Sequence, residues 1–178
     1  DFTARENILG GYLMLNQQLG NKFSLIAGVR IENTSQEYQG NQYDADEDVN
    51  TLSPKVSDSY MNILPGLHAK YDFNKTTILR AAWTNTLARP NYFSLVPYRE
   101  VTREDNEISI GNPELTPTKS MNLDLMLEKY FKNIGIISAG VFYKDIKDFI
   151  VTETKEDFAF EGNVWDTYHQ PINGGNAT

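Results

Sequence analysis

Asp44-Ala45-Asp46-Glu47-Asp48 is the densest run of metal-ligating side chains in this sequence, and hard carboxylate oxygens of this kind suit calcium. The run lacks the central glycine and the closing glutamate of an EF-hand loop, so it reads as a solvated acidic loop. His68 and His169 have no second His or Cys at ligand spacing, and the chain has no cysteine, so no zinc site or disulfide is expected. There is no G-x-S-x-G elbow to present a serine nucleophile and no Walker-type loop to cradle phosphate. Nothing here implies an enzyme, a metal or a resident cofactor.

The remaining charged groups have a different logic. Arg30, His68, Lys70, Arg80, Asp124 and Glu128 lie in stretches where polar and apolar residues alternate, the pattern of a strand with two unlike faces. The clearest runs are residues 22–32, 59–73, 76–87, 120–131 and 136–146, with a blurred sixth at 5–18. In residues 22–32, Phe23, Leu25, Ala27, Val29 and Ile31 oppose Ser24, Gly28, Arg30 and Glu32, with Ile26 among the latter. In residues 59–73, Met61, Ile63, Leu67, Ala69, Tyr71 and Phe73 oppose Asn62, His68, Lys70 and Asp72. Leu79, Ala81 and Trp83 likewise oppose Arg80 and Thr84; Leu123, Leu125 and Leu127 oppose Asp124 and Glu128. Each run supplies the 9–11 or so residues that a tilted membrane strand needs. Apolar sets free of charge at mid-strand suit lipid, where Arg or Lys costs about 2–4 kcal/mol. Lys129 shares the apolar parity but sits beside a short turn, where it can snorkel. Pro65 cannot donate to a ladder, so a bulge or bend is expected there.

Composition supports two unlike faces. Aromatics make up 12% of the 178 residues, yet the mean hydropathy is −0.48. The net charge of −8 argues against a nucleic-acid partner and against docking on an anionic surface through a polybasic patch. The opening residues lack the basic-then-apolar order of a signal peptide.

Connections sort by length. Short turns carry Gly20-Asn21, Asn74-Lys75 and Lys132-Asn133, whereas residues 33–58, 88–119 and 147–173 make long connections. Alternating short turns and long loops are the mark of an outer-membrane β-barrel, with the long loops outside. Phe23, Tyr71, Phe73 and Phe131 fall beside short turns on the apolar parity, as an aromatic girdle requires. The fold class expected is all-β, an antiparallel transmembrane β-barrel segment of six or seven strands.

Two boxes lie in the second long connection: Leu87-Ala88-Arg89-Pro90-Asn91-Tyr92, and Ile110-Gly111-Asn112-Pro113-Glu114-Leu115-Thr116-Pro117. In order and spacing they resemble the "ARP" and "GNPxLxP" boxes in the C-terminal barrel of TonB-dependent receptors, particularly the Bacteroidetes and Xanthomonas types. Gly140-Val141-Phe142-Tyr143-Lys144-Asp145-Ile146 resembles the following strand, and residues 171–178 resemble the lead-in to the one after. Arg89, Pro90, Gly111, Asn112, Pro113 and Leu115 read as architectural, with Gly111 or Asn112 taking positive φ at a turn back to the wall.

The resemblance implies that residues 1–178 are part of a larger barrel in the outer membrane of a Gram-negative bacterium, without its plug domain. Its implied partners are outer-membrane lipid, the barrel's own plug and the TonB complex. The implied cargo is a large or scarce substrate such as an iron chelate, cobalamin, glycan or peptide. A non-energised porin or adhesin barrel and a secreted carbohydrate-binding β-sandwich are the alternatives. The charged set from Arg30 to Glu128 would line the lumen. Among the aromatics of the long connections, Tyr43, Tyr92, Tyr98 and Trp165 are the candidates for substrate contact.

Overall fold

The computed structural model describes residues 2–44, 49–133 and 135–178; the acidic run at 45–48 and Ile134 lie outside them. The described residues form eleven strands and one short helix: β1 (Phe2–Leu19), β2 (Phe23–Asp44), β3 (Val49–Leu52), β4 (Val56–Asn74), β5 (Thr77–Ala88), α1 (Tyr92–Leu95), β6 (Arg99–Thr102), β7 (Glu107–Ile110), β8 (Thr118–Phe131), β9 (Gly135–Lys147), β10 (Ile150–Phe160) and β11 (Asn163–Asn173).

Six of these make an antiparallel wall in the order β1-β2-β4-β5-β8-β9. The six alternating runs account for them, joined in hairpin pairs by the short turns. Gly20 takes φ +67 in the first turn, a conformation that costs glycine nothing. Asn74 acts instead through its side chain, accepting from the Thr76 amide at 2.9 Å. The register carries the faces across the sheet. Leu15, Ala27, Leu67, Trp83, Leu123 and Tyr143 are cross-strand partners in one row. Ser24, Lys70, Arg80 and Met126 align in a row of the opposite parity. A one-residue slip anywhere would exchange the two faces. Lys129 is tied to the turn end, its Nζ donating to Thr76 and Thr77 hydroxyls at 3.0 and 2.9 Å.

Pro65 makes no bulge, contrary to expectation. It pairs in register with Val29, and the irregularity of β4 lies between Asp72 and Asn74. What changes at Pro65 is the other edge. The β4–β5 ladder stops at Gly66↔Thr84, while β5 runs on along β8 to Ala88↔Thr118. Without an N–H, Pro65 cannot extend the ladder. Asn85 Nδ2 donates to its carbonyl at 3.1 Å, and a notch opens beyond.

The long connections are not plain loops. β2 and β4 continue pairing to Tyr38↔Val56, and 147–173 forms the β10–β11 hairpin. The remaining strands build a second, smaller sheet at the same end, in which β7 pairs with β6 and, in parallel, with β11. The end of β2, with β3 paired along it, joins this sheet through a single parallel contact, Gln42↔Arg99. These connections carry enough β-branched and aromatic residues to pair with each other once the wall brings them together. After β11 the chain returns to the wall, where Ile146 and Ala177 exchange backbone hydrogen bonds at 2.8 and 2.9 Å.

Candidate functional site

The connection between β5 and β8 folds inward over the polar face of the wall. On β2, Glu32, Thr34, Gln36 and Tyr38 are buried while the residues between them are not. Their parity is that of Ser24 and Arg30, so α1 and its flanks lie on the inner side. Tyr38, Leu95, Val96 and Leu115 form the contact, with Ala4, Tyr98 and Ile150 around them. Burial pushes the Tyr38 phenol well above its ordinary pKa; it stays protonated and donates to Gln36 Oε1 at 2.8 Å.

Arg89 enters this space from the end of β5. Its guanidinium donates to Glu32 of β2, and Glu6 of β1 lies 3.7 Å from its Nε. Arg30 donates to the other oxygen of Glu32, and the Tyr92 hydroxyl donates to Glu6 at 3.1 Å. β1, β2, the end of β5 and α1 are thus tied by two arginines, two carboxylates and the Tyr92 hydroxyl. Glu6 and Glu32 were not among the sequence-derived candidates. Their only local signal is polar parity on a strand, and no spacing rule connects positions so far apart in the chain.

The second box closes the fold of the connection. A β-carbon on Gly111 would stand 1.9 Å from the Val96 carbonyl oxygen, so glycine is required by close approach. The expected positive φ is found at neither Gly111 nor Asn112. The backbone amide of Asn112 donates to Ser94 O at 2.7 Å. Its side chain donates to Pro171 O at 2.9 Å and accepts from the Glu114 amide at 3.0 Å. Pro113 begins the turn into β8, Leu115 is buried, and Pro90 follows the end of β5. The box therefore anchors the folded lobe as well as returning the chain to the wall.

The other candidates separate. Lys70 pairs with Asp72 at 2.9 Å and Arg80 with Glu128 at 3.0 Å, where Glu128 also accepts from the Tyr130 hydroxyl at 3.1 Å. His68 and Asp124 flank Ala82 in one inner row and help to line a cavity of about 350 Å³. His169 lies away from them, its Nδ1 2.9 Å from the Thr154 hydroxyl and its Nε2 3.1 Å from Glu107. Among the described residues no group of three or more His, Cys, Asp or Glu is placed to hold a metal.

Of the four aromatic candidates, Trp165 needs correction. It is 4% exposed in a core with Ile108 and Tyr168, and its Nε1 donates to Phe160 O at 3.4 Å. It packs the lobe and is not presented to a ligand, because the β10–β11 hairpin closes over it. Tyr98 is half-buried and stacks on Phe93 at 4.3 Å between ring centroids. Tyr92 and Phe93 are exposed, at 48% and 51%. Of Tyr43 only the backbone is described, in register with Asn50.

The comparisons agree with this architecture. Residues 1–178 match the model of the outer membrane protein beta-barrel family. No curated protein matches the chain. Among solved structures, the hemophore receptor HasR of Serratia marcescens superposes with a TM-score of 0.70 at 11% identity, over 96% of this chain and 30% of that one. The copper transporter OprC gives 0.68 at 18% identity, over 96% and 25%. The ferric-catecholate import receptor Fiu of E. coli K12 gives 0.65 at 12%, over 93% and 24%. The chain spans less than a third of the length of each. The expected fold class holds, and so does the likeness to the barrel region of TonB-dependent receptors. This chain belongs to the outer membrane protein β-barrel family, and its six long strands are wall in the outer membrane of a Gram-negative bacterium.

Proposed function

We propose that residues 1–178 form part of the wall and outer mouth of a larger barrel, an energy-coupled importer that takes up a large or scarce substrate. The carrying observation is the folded lobe. The β2 strand has 22 residues, about 70 Å at about 3.3 Å per residue, roughly twice what a tilted span needs. Its outer half carries the lobe, with α1 folded inward and Tyr92 and Phe93 exposed beside the polar inner face. A rigid aromatic and hydrogen-bonding surface at a mouth suits capture of a polar ligand before passage. Fold likeness to HasR, Fiu and OprC supports the same reading. Iron chelates, cobalamins, glycans and peptides are the substrate classes, and a plug with TonB is the coupling partner. The inner charged residues, Arg30, His68, Lys70, Arg80, Asp124 and Glu128, face the plug or the passing substrate.

The test is binding and uptake by cells carrying the full-length protein, with and without an agent that collapses the inner-membrane proton gradient. Surface binding should persist while uptake stops. Uptake that continues at the same rate would identify a non-energised porin.

A further inference from the structure

We propose that Phe2, Phe93 and Tyr98, with the Glu100 carboxylate beside them, form a subsite for an ammonium or guanidinium group, and that the substrate is accordingly a basic peptide. The inference narrows the substrate of the importer proposed above and rests on that reading.

The rings define the place. Phe2 begins β1 on the inner parity, opposite Gly40, and Phe93 stands in α1. Their centroids lie 6.4 Å apart with the planes inclined at 64°, so the two rings wall a corner. Tyr98 stacks on Phe93 at 4.3 Å, yet Phe2 and Phe93 stay 50% and 51% exposed. Tyr92, next to Phe93, is held by its hydroxyl bond to Glu6 at 3.1 Å. Aromatic faces are negative and attract cations, lysine and arginine groups among them. Burial, and then the neighbouring Glu100 carboxylate, raise the Tyr98 phenol above its ordinary range, which puts Glu100 at the same cluster. Glu100 is exposed and, among the described residues, makes no ion pair.

Charge is distributed to match. The three long connections, residues 33–58, 88–119 and 147–173, carry 17 of the 24 carboxylates but only 7 of the 16 lysines and arginines. The mouth is thus more negative than the whole chain, whose net charge is −8, and the rest of the wall is slightly positive. The basic groups of the connections are committed elsewhere. Lys55, Arg89, Arg99 and Lys155 pair with Glu37, Glu32, Glu161 and Glu153, and Arg103 is engaged as well. Lys119 and Lys147 share the outward parity of Met121 and Asp145. Among the described residues, a ligand at the corner therefore meets rings and carboxylates and no spare cation. An anionic chelate would be repelled, and a neutral glycan would stack but gain nothing from the charge. Salt screens exposed charges beyond about 8 Å, so the wider field acts on arrival, while Glu100 and the rings do the holding.

The test is fluorescence anisotropy with the full-length protein in neutral detergent. The probes are a labelled glycine peptide bearing two lysines, the same peptide with both lysines acetylated, its two-glutamate counterpart, and unlabelled maltohexaose as competitor. The lysine peptide should bind tightest and lose affinity as salt rises. Phe93→Leu and Glu100→Gln should each weaken it about two- to fivefold, the worth of an exposed cation–π contact or ion pair. Phe93→Trp should strengthen it, since indole is the better partner for a cation. Protease resistance of residues 89–117 checks that the lobe is folded in each variant. Equal affinity for the lysine and acetylated peptides would overturn the proposal. Tighter binding of the glutamate peptide, or full displacement by maltohexaose, would overturn it too. Energy coupling is read separately: uptake of the lysine peptide that ignores collapse of the proton gradient would overturn the importer reading and leave the cation subsite standing.

Discussion

Gly111 lies so close to Val96 that an added β-carbon would sit 1.9 Å from the Val96 carbonyl oxygen. The obstacle is backbone, so no rotamer change relieves it, and α1 would have to lift from β2. Overpacking of this kind costs about 1–3 kcal/mol or more. Gly111→Ala should loosen the lobe and leave the wall inserted. Limited proteolysis should then cut within 89–117 while heat-modifiable migration stays normal; a protected lobe would disprove the packing argument.

Arg89 and Glu32 join the connection to the wall. Removing either leaves a charge with fewer partners, at about 1–3 kcal/mol for a charged hydrogen bond. Arg89→Ala and Glu32→Ala should each speed hydrogen exchange at the Val96 amide, which bonds Tyr92 O. The double variant should cost less than the sum, because the pair is lost only once. Strict additivity would mean that the contact contributes nothing.

Trp165 and Phe93 should behave as opposites. Trp165→Ala empties a core position, at about 3–5 kcal/mol, and should destabilise the β10–β11 hairpin. Phe93→Ala removes an exposed ring, so lobe stability should change little while substrate binding weakens. Whole-cell binding measured beside proteolytic stability distinguishes them, and equal effects on both readouts for both variants would defeat the assignment.

Shortening the first long connection should have a boundary. Gln36, Glu37 and Tyr38 pair with Asp58, Ser57 and Val56, so deleting 36–57 removes wall pairing and the buried Tyr38. Trimming only 43–51 spares those pairs and the Gln42↔Arg99 contact, and should leave α1 packed on β2. Comparing protease resistance of the two deletions checks this; equal resistance would contradict the pairing.

Side-chain direction is open to direct measurement. Cysteines at Leu79, Ala81, Trp83, Leu123, Leu125 and Val141 should carry labels that a lipid-soluble quencher reaches. Labels at Arg80, Thr84, Asp124 and Glu128 should be shielded from it. Reversal in any one strand would mean a register shifted by one residue.

Much of the wall is legible in the chain because its causes are local. Period-two alternation places Leu123 and Asp124 on opposite faces whatever the neighbours are, and Gly20 and Asn74 bend the chain within a few residues. The lobe is a different case. Nothing near residues 88–118 indicates that they fold inward onto β2, or that β7 will pair in parallel with β11. Those contacts join positions about 60 residues apart, and their stability exists only once the wall has brought the ends together. Trp165 shows the consequence: a loop aromatic by sequence, it is a core residue once β7 and β10 close around it. Pro65 is the mixed case, since its missing N–H is written in the sequence, but which neighbour would lose a bond depended on the strand order. Local backbone chemistry determined the strands and their faces; long-range packing decided which polar groups meet, and so placed Arg89 on Glu32.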